Sequence, residues 1–265
     1  MFMTHFKMTQ QPFQEYPSIE GFFSHEAFSQ GVARLTYFAS GQSDVALLTA
    51  DSGLGKSSLI RSFLHHQTQQ AFNPVSIGFT GLSGHAFLRS MVSSLGETPA
   101  AQKDVLFQQI MKKTAAANKG PTLFLLDNAH LLCNEALVDL QLLLSANQER
   151  INIKLIFIAH QELKKRFKET QHKSLAQRIA LMCSLDSFDE ALTHQYIDFQ
   201  MRFAGSNDRV FEDNVKSDIQ QYTHGCPRLI NNLATHCLIG AAIKQVKIID
   251  RTLLQQALNE CPLFL

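Results

Sequence analysis

Five short apolar segments occur in the first two thirds of the chain, and stretches with helical spacing separate them. The apolar segments cover residues 45–49, 75–79, 122–126, 153–159 and 182–185. Helical spacing covers residues 56–69, 84–95 and 101–118, and it recurs at 137–144. Because strands that alternate with helices pair in parallel and bury both faces, the pattern predicts an α/β domain with a parallel sheet sandwiched by helices.

After residue 186 the strand-like segments stop and only helical patterns remain. They cover residues 187–204, 211–222, 227–244 and 250–259. Ser187 and Glu190 have the spacing of a capping box that would open the first of these helices. The change of pattern predicts a small, all-helical lid after the α/β domain.

The chain begins with a segment that follows neither pattern. Residues 4–23 are rich in Phe and Pro without periodicity, which predicts an extended arm, and helical spacing follows over 24–39. Three parts are therefore predicted, namely an arm and helix packed on the core at 1–40, the α/β domain at 41–186 and the lid at 187–265.

Composition and charge narrow the class of protein. The 265 residues are 45% hydrophobic, which is enough to bury a core, and the formal net charge is only +1. Contact with nucleic acid would therefore need a local basic patch. The five cysteines lack metal-ligand spacing, and neither a signal sequence nor a membrane-length apolar run occurs. We expect a cytoplasmic protein without a direct membrane span, peripheral at the inner membrane only through partners.

A glycine-rich turn between the first apolar segment and the next helix matches a phosphate-binding loop. Its candidate nucleotide-binding residues are Asp51, Ser52, Gly53, Leu54, Gly55, Lys56, Ser57 and Ser58. Inward-facing backbone N–H groups and the start of a helix favour phosphate oxygens. Lys56 would reach the β- and γ-phosphates of ATP, and the Ser57 hydroxyl would bind Mg²⁺. Ala50 stands where the pattern usually has its first glycine.

An acidic residue ends the third apolar segment, as expected for the second half of such a site. Asp127 follows residues 122–126, and its carboxylate would hold Mg²⁺, usually through water. Asn128 comes next, where ATPases of this kind carry a Glu that polarises the attacking water. An amide can orient water but cannot accept its proton, so hydrolysis is predicted to be slow while binding survives. His130 is an alternative base, although a capping or solvated role is favoured.

Several segments together resemble the AAA+ ATPase family of the type II secretion protein GspA/ExeA and the pilus-biogenesis protein MshM. More distantly, the chain is similar to the TniB/TnsC transposition ATPases. The segments are Thr4-His5-Phe6, Gln11-Pro12-Phe13, Phe22-Phe23-Ser24-His25-Glu26-Ala27, Gln161-Glu162-Leu163, Gln177-Arg178-Ile179 and Gly225-Cys226-Pro227-Arg228-Leu229-Ile230-Asn231. The resemblance implies the AAA+ P-loop NTPase fold with a helical lid, and ATP and Mg²⁺ as cofactors.

The resemblance also implies roles for three further residues. His160 stands at the sensor 1 position, where the family usually has Gln and where a polar side chain contacts the γ-phosphate or the lytic water. Arg178 matches an arginine finger that would act toward a neighbouring subunit. Arg228 matches sensor 2, a lid cation that points at the phosphates from a helix beginning at Pro227. Self-association, in an ATP-dependent oligomer, is the corresponding expectation.

Three functions stay open at this point. The first is an ATPase that assists assembly of a secretion or pilus machine, and the second is a DNA-associated ATPase of a transposition system. The third is a non-hydrolysing, ATP-dependent adaptor. Two basic stretches bear on the DNA hypothesis, although such runs are more often solvated helix faces. They comprise Lys164, Lys165, Arg166, Lys168 and Lys173, and Lys112, Lys113 and Lys119.

Overall fold

The computed structural model describes residues 1–15, 17–66, 72–78, 81–117, 120–146, 152–206 and 209–260. The strands are β1 (Val45–Thr49), β2 (Asn73–Ile77), β3 (Thr122–Leu126), β4 (Ile153–Ala159) and β5 (Ile179–Ser184). The helices up to β5 are α1 (Phe2–His5), α2 (Glu26–Ser40), α3 (Lys56–His66), α4 (Gly84–Ser94), α5 (Lys103–Ala115), α6 (Asn134–Ala146), α7 (Glu162–Arg166) and α8 (Lys173–Gln177). After β5 come α9 (Glu190–Phe203), α10 (Asp213–Thr223), α11 (Pro227–Ile243) and α12 (Arg251–Glu260).

All five strands form one parallel sheet in the order β2-β3-β4-β1-β5. Strands β1, β3 and β4 are buried along their whole length, which is why they read as unbroken apolar runs. Strand β4 lies between β3 and β1, so the carboxyl ends of these three strands meet at one edge. The predicted α/β class with a parallel sheet and a following helical part is confirmed.

The chain divides into two compact units, each with its own core. One unit comprises residues 29–52 and 63–185, and its core joins the sheet to helices α4, α5 and α6. The other comprises residues 1–28, 53–62 and 186–265, and its core is built by helices α9 to α12. The division falls within α2, after residue 28, and within α3, after residue 62.

The arm is less extended than the sequence suggested. Residues 2–5 form helix α1, and Phe6, Met8 and Phe13 are buried in the core of the helical unit. The backbone N–H of Thr9 donates to the carbonyl of Ala204. Large apolar residues without periodicity thus mark a segment that contributes single buried side chains to a core. No helix or strand lies between these side chains.

Two other local predictions are corrected or shifted. The cap of α9 is Asp189, whose carboxylate accepts from the N–H of Leu192 at 2.7 Å, and the predicted Ser187–Glu190 capping box is wrong. Strand β2 begins two residues earlier than predicted, and residue 79 lies outside the described residues, as do 67–69 and 118 of two predicted helices. None of the described helices is both long and apolar enough to cross a membrane.

A buried lysine ties the sheet to the end of α2. Lys154 of β4 is 1% exposed, and its Nζ donates to the carbonyls of Phe38 at 2.8 Å, Ala39 at 3.0 Å and Gly41 at 2.6 Å. These carbonyls belong to the last turn of α2 and the residues after it, where a helix has acceptors without partners and partial negative charge. Burial lowers the pKa of Lys154, while the charge of Asp44 opposes that shift.

The Lys154→Met substitution is expected to lower the free energy of unfolding by about 1–3 kcal/mol, because three carbonyl oxygens lose their donor while the aliphatic stem is kept. Urea unfolding followed by circular dichroism measures the change. Lys168→Met, at an exposed position, is the matched control and should leave stability within about 0.5 kcal/mol. Equal stability of the two variants would contradict the capping role of Lys154.

Candidate functional site

The predicted phosphate loop lies between β1 and α3. Strand β1 ends at Thr49, and α3 begins at Lys56, so Lys56, Ser57 and Ser58 make the first turn of that helix. Gly53 has φ +81° and Gly55 has φ +93°, conformations that residues with a Cβ rarely adopt. The first turn of α3 contains no acidic residue. Because the first N–H groups of a helix have no acceptor within the helix, this turn favours an anion without a competing carboxylate of the helix itself.

Ala50 is accommodated without strain. The residue is fully buried, and its N–H donates to the carbonyl of Ala159 at 3.1 Å, which extends the pairing of β1 with β4 by one bond. Its φ is not positive. The loop therefore needs no glycine at its first position, and the departure from the usual pattern has no consequence for its conformation.

Asp127 lies at the carboxyl edge of the sheet, directly after β3. Its N–H donates to the carbonyl of Ile77, and its carboxylate accepts from the N–H of Asn128 at 2.9 Å. The loop departs from the same edge at the end of β1, with only β4 between the two strands. Asp51 and Ser52, both exposed, begin the loop on this side. The parallel sheet thus gathers the acid and the start of the loop, as predicted from the chain.

The backbone conformation at residue 128 explains in part why this residue is Asn. Its φ is 52° and its ψ is 36°, which is the left-handed region. After glycine, Asn and Asp enter this region most readily, because their short polar side chains bond locally. The residue after Asp127 therefore suits a left-handed turn, whatever its side-chain chemistry. A proton acceptor is still missing at this position, since an amide has no basic lone pair of use.

His160 and His130 form a stacked pair at the same edge. Their ring centroids are 4.1 Å apart, with an interplanar angle of 13°. The N–H of His160 points at Nδ1 of His130, at 3.5 Å. When neutral, His130 in this arrangement carries its proton on Nε2 and offers a donor there. The two histidines are 30 positions apart in the chain and no spacing rule connects them, so the sequence does not predict their contact.

Arg166 is a residue whose role the sequence analysis missed. Its guanidinium donates to the carbonyls of His130 at 3.0 Å and Leu132 at 2.6 Å, and to Oδ1 of Asn134 at 2.7 Å. It therefore holds the segment that follows Asn128 against helix α7. The same Asn134 oxygen contacts Nε2 of His172 at 3.1 Å. Burial and the charge of Arg166 lower the pKa of His172. In the sequence Arg166 is only one of a run of basic residues.

Arg228 lies on the phosphate loop within the helical unit. Helix α11 begins at Pro227, and the N–H of Arg228 donates to the carbonyl of Gly53 at 3.3 Å. A Cβ added to Gly53 would lie 2.8 Å from the sulfur of Cys226 and 2.9 Å from Cβ of Arg228. The glycine is thus required by contact as well as by its φ. The structure brings the predicted sensor 2 residue to the loop that it was predicted to serve.

Arg178 lies elsewhere. It precedes β5 at the amino edge of the sheet, and its guanidinium contacts Asp44 at 3.2 Å and Ser145 at 3.3 Å. The five residues of β1 separate this edge from the carboxyl edge by roughly 16 Å. Within one chain Arg178 is therefore far from Asp127, and a role toward nucleotide would need a second copy of the chain.

Comparison with known proteins agrees with this arrangement. Residues 40–167 match the family model described as an AAA domain. That match covers just under half of the 265 residues. General secretion pathway protein A of Aeromonas hydrophila is 24% identical over 253 residues, which are 91% of this chain and 45% of that protein. The chain thus spans about half the length of this relative, and its predicted resemblance to the AAA+ family of the secretion protein is confirmed.

Solved structures share the fold of this chain at low sequence identity. The RuvB Holliday junction branch migration motor of Thermotoga maritima has a TM-score of 0.64 and 15% identity, over 94% of this chain and 73% of that chain. The ORC1 protein of Aeropyrum pernix, solved in complex with DNA, has a TM-score of 0.68 and 14% identity, over 88% of this chain and 64% of that chain. These likenesses concern the fold alone.

The Gly53→Ala substitution is expected to weaken ATP binding about tenfold or more, because a left-handed φ and two contacts under 3 Å force the loop to shift. A fluorescent-nucleotide titration measures the change. Gly240→Ala is the control, since a Cβ there meets only the side chain of Leu253 at 3.8 Å. Unchanged affinity in Gly53→Ala would show that the loop is not the binding element.

Proposed function

We propose that this AAA+ protein binds ATP with Mg²⁺ and acts as an assembly or regulatory factor of a secretion or pilus-type machine, with slow ATP hydrolysis. The observation that carries the proposal is the contact of the Arg228 backbone with Gly53 in a loop that has two left-handed glycines. The Arg228 guanidinium at the start of α11 and the amides at the start of α3 would then bind the same triphosphate.

The residues of the site divide into binding and sensing groups. The loop amides from residue 51 to residue 58 would bind the phosphates, with Lys56 as the compact cation. Ser57 and Asp127 would hold Mg²⁺, which supplies charge neutralisation at the transferred phosphoryl group. His160 would donate a hydrogen bond at the sensor 1 position, and Arg228 would bind the terminal phosphate. Arg178 would act from a neighbouring copy.

Slow turnover follows from the residues that face the attacking water. Asn128 can hold a water molecule but cannot take its proton, and Nδ1 of His130 is directed toward the N–H of His160. The proposed residues include the groups needed to bind ATP and Mg²⁺, whereas neither Asn128 nor His130 is a strong proton acceptor in this arrangement. The protein would therefore change state with ATP binding and keep that state for longer than a fast ATPase does.

A partner in a secretion or pilus machine is supported by the sequence relative, which is named for general secretion. The match extends over 91% of this chain and 45% of that relative. An oligomer that forms on ATP binding would present the same face several times to such a machine, and Arg178 would complete each site from the adjacent copy.

A DNA-associated function is the second candidate, and one observation favours it. Lys164, Lys165, Lys168 and Lys173 have no ion-pair partner among the described residues. Against it, Arg166 of the same stretch is used inside the fold. Lys119 of the second stretch lies outside the described residues, and Lys113 pairs with Glu97.

Phosphate release with and without duplex DNA, beside an ATP titration, separates the candidates. Stimulation by DNA favours the second function, and stoichiometric binding without release favours the adaptor.

Lys56→Ala is expected to weaken ATP binding by roughly 10- to 100-fold, since charge-assisted hydrogen bonds to the phosphates are lost. Isothermal titration calorimetry with Mg-ATP measures the loss. Lys165→Ala, an exposed lysine outside the loop, is the control and should bind ATP like the wild type. Wild-type affinity in Lys56→Ala would refute the proposed site.

Asn128→Glu is expected to raise the turnover rate by about 100-fold or more, because it supplies the missing proton acceptor. It should also cost about 1 kcal/mol of stability, since Glu tolerates the left-handed backbone less well than Asn. Asn128→Gln carries the same backbone cost and side-chain length without the carboxylate. A comparison of the two in a phosphate-release assay isolates proton acceptance, and equal rates would rule it out as the limiting step.

A further inference from the structure

The guanidinium of Arg228 contacts a carboxylate of the N-terminal arm. Nη2 of Arg228 lies 3.3 Å from Oε1 of Glu15, and the side chains are 51% and 57% exposed. Both residues belong to the helical unit, which also holds residues 53–62 of the phosphate loop and the start of α3. An anion supplied by the chain itself is therefore in contact with the cation that is proposed to bind the terminal phosphate.

The side-chain stem of Arg228 lies against the phosphate loop, since a Cβ added to Gly53 would lie 3.7 Å from its Cδ. The backbone of Arg228 is fixed by its bond to Gly53 and by the close packing of its Cβ on that glycine. A carboxylate and a triphosphate near one guanidinium repel each other, and at short range that repulsion is not fully screened by salt. Any anion that pairs with Arg228 before ATP arrives must be moved or tolerated at a cost.

Glu15 has room to move without detachment of the arm. It lines a cavity of about 500 Å³, whose other lining residues are Gln11, Phe13, Gln14, Asn232, Thr235 and His236. Two residues before Glu15, the arm is anchored, because Phe13 is buried and its N–H donates to Gln200 at 3.0 Å. A rotation of the Glu15 side chain is therefore enough to release Arg228.

We propose that Glu15 is a specificity-determining residue of the nucleotide site, whose carboxylate competes with the terminal phosphate of ATP for Arg228. Glu15 lowers the affinity for ATP and leaves the affinity for ADP unchanged, because ADP has no group at that position. The inference rests on the proposed function, since it requires Arg228 to bind the γ-phosphate.

The test is a double-mutant cycle of Glu15→Gln and Arg228→Ala, with Kd measured for Mg-ATP and Mg-ADP. Glu15→Gln is nearly isosteric at an exposed position, and a thermal melt checks that the variant is folded. It is expected to bind ATP about two- to fivefold more tightly than the wild type, with ADP unchanged, as an exposed ion pair allows. In the Arg228→Ala background the same substitution should have no effect on either nucleotide. Higher salt should shrink the gain in ATP affinity.

Glu260→Gln removes an exposed carboxylate from the same unit and should change neither affinity. Equal gains for ATP and ADP in Glu15→Gln, or no gain for ATP, would overturn the competition. A gain that persists without Arg228 would overturn it as well. If Arg228→Ala leaves ATP affinity unchanged, the sensor 2 role in the proposed function fails, and the role of Glu15 fails with it. If only the Glu15→Gln results differ from those expected, the proposed function stands and the competition between Glu15 and the terminal phosphate is refuted.

Discussion

The turn at Gly53 is the constraint on which the helical unit and its part of the phosphate loop depend. A left-handed backbone, a carbonyl that accepts from Arg228 and the absence of a Cβ all act at this one residue. The sulfur of Cys226 and the Cβ of Arg228 occupy the space that a side chain would need. Lid helix α11 and the phosphate loop are consequently one packed structure, so that a group binding the loop bears on the lid directly.

The residues at the carboxyl edge of the sheet favour binding over proton transfer. Asn128 satisfies a left-handed turn that a longer carboxylate side chain would enter only at a cost. His160 and His130 stack on each other, and their contact commits one ring nitrogen to a backbone N–H. Each substitution has a local structural reason, and together they leave donors and a metal ligand in place without a strong base. Such a set agrees with the proposed binding of ATP with slow hydrolysis.

Several Lys and Arg side chains that could bind a partner, judged from the sequence, instead bind groups within the fold. Lys154 caps helix α2, Arg166 holds the segment after Asn128, and Arg178 pairs with Asp44. Each has carbonyl or carboxylate oxygens around it, which is how a buried or half-buried charge is accommodated. In the basic stretch between residues 164 and 173, Lys165, Lys168 and Lys173 are exposed and Lys164 is half-buried.

Local sequence determined the order of strands and helices, the phosphate loop, Asp127 and the start of α11 at Pro227. These features follow from apolar runs, glycines and proline, whose conformational effects act within a few residues. Tertiary structure alone decided that His130 stacks on His160, that Arg166 reaches three acceptors and that Glu15 contacts Arg228. The partners in these contacts are between 30 and more than 200 residues apart, and no periodicity relates them. Only the packing within each unit brings such residues within the few ångströms over which hydrogen bonds and ion pairs act.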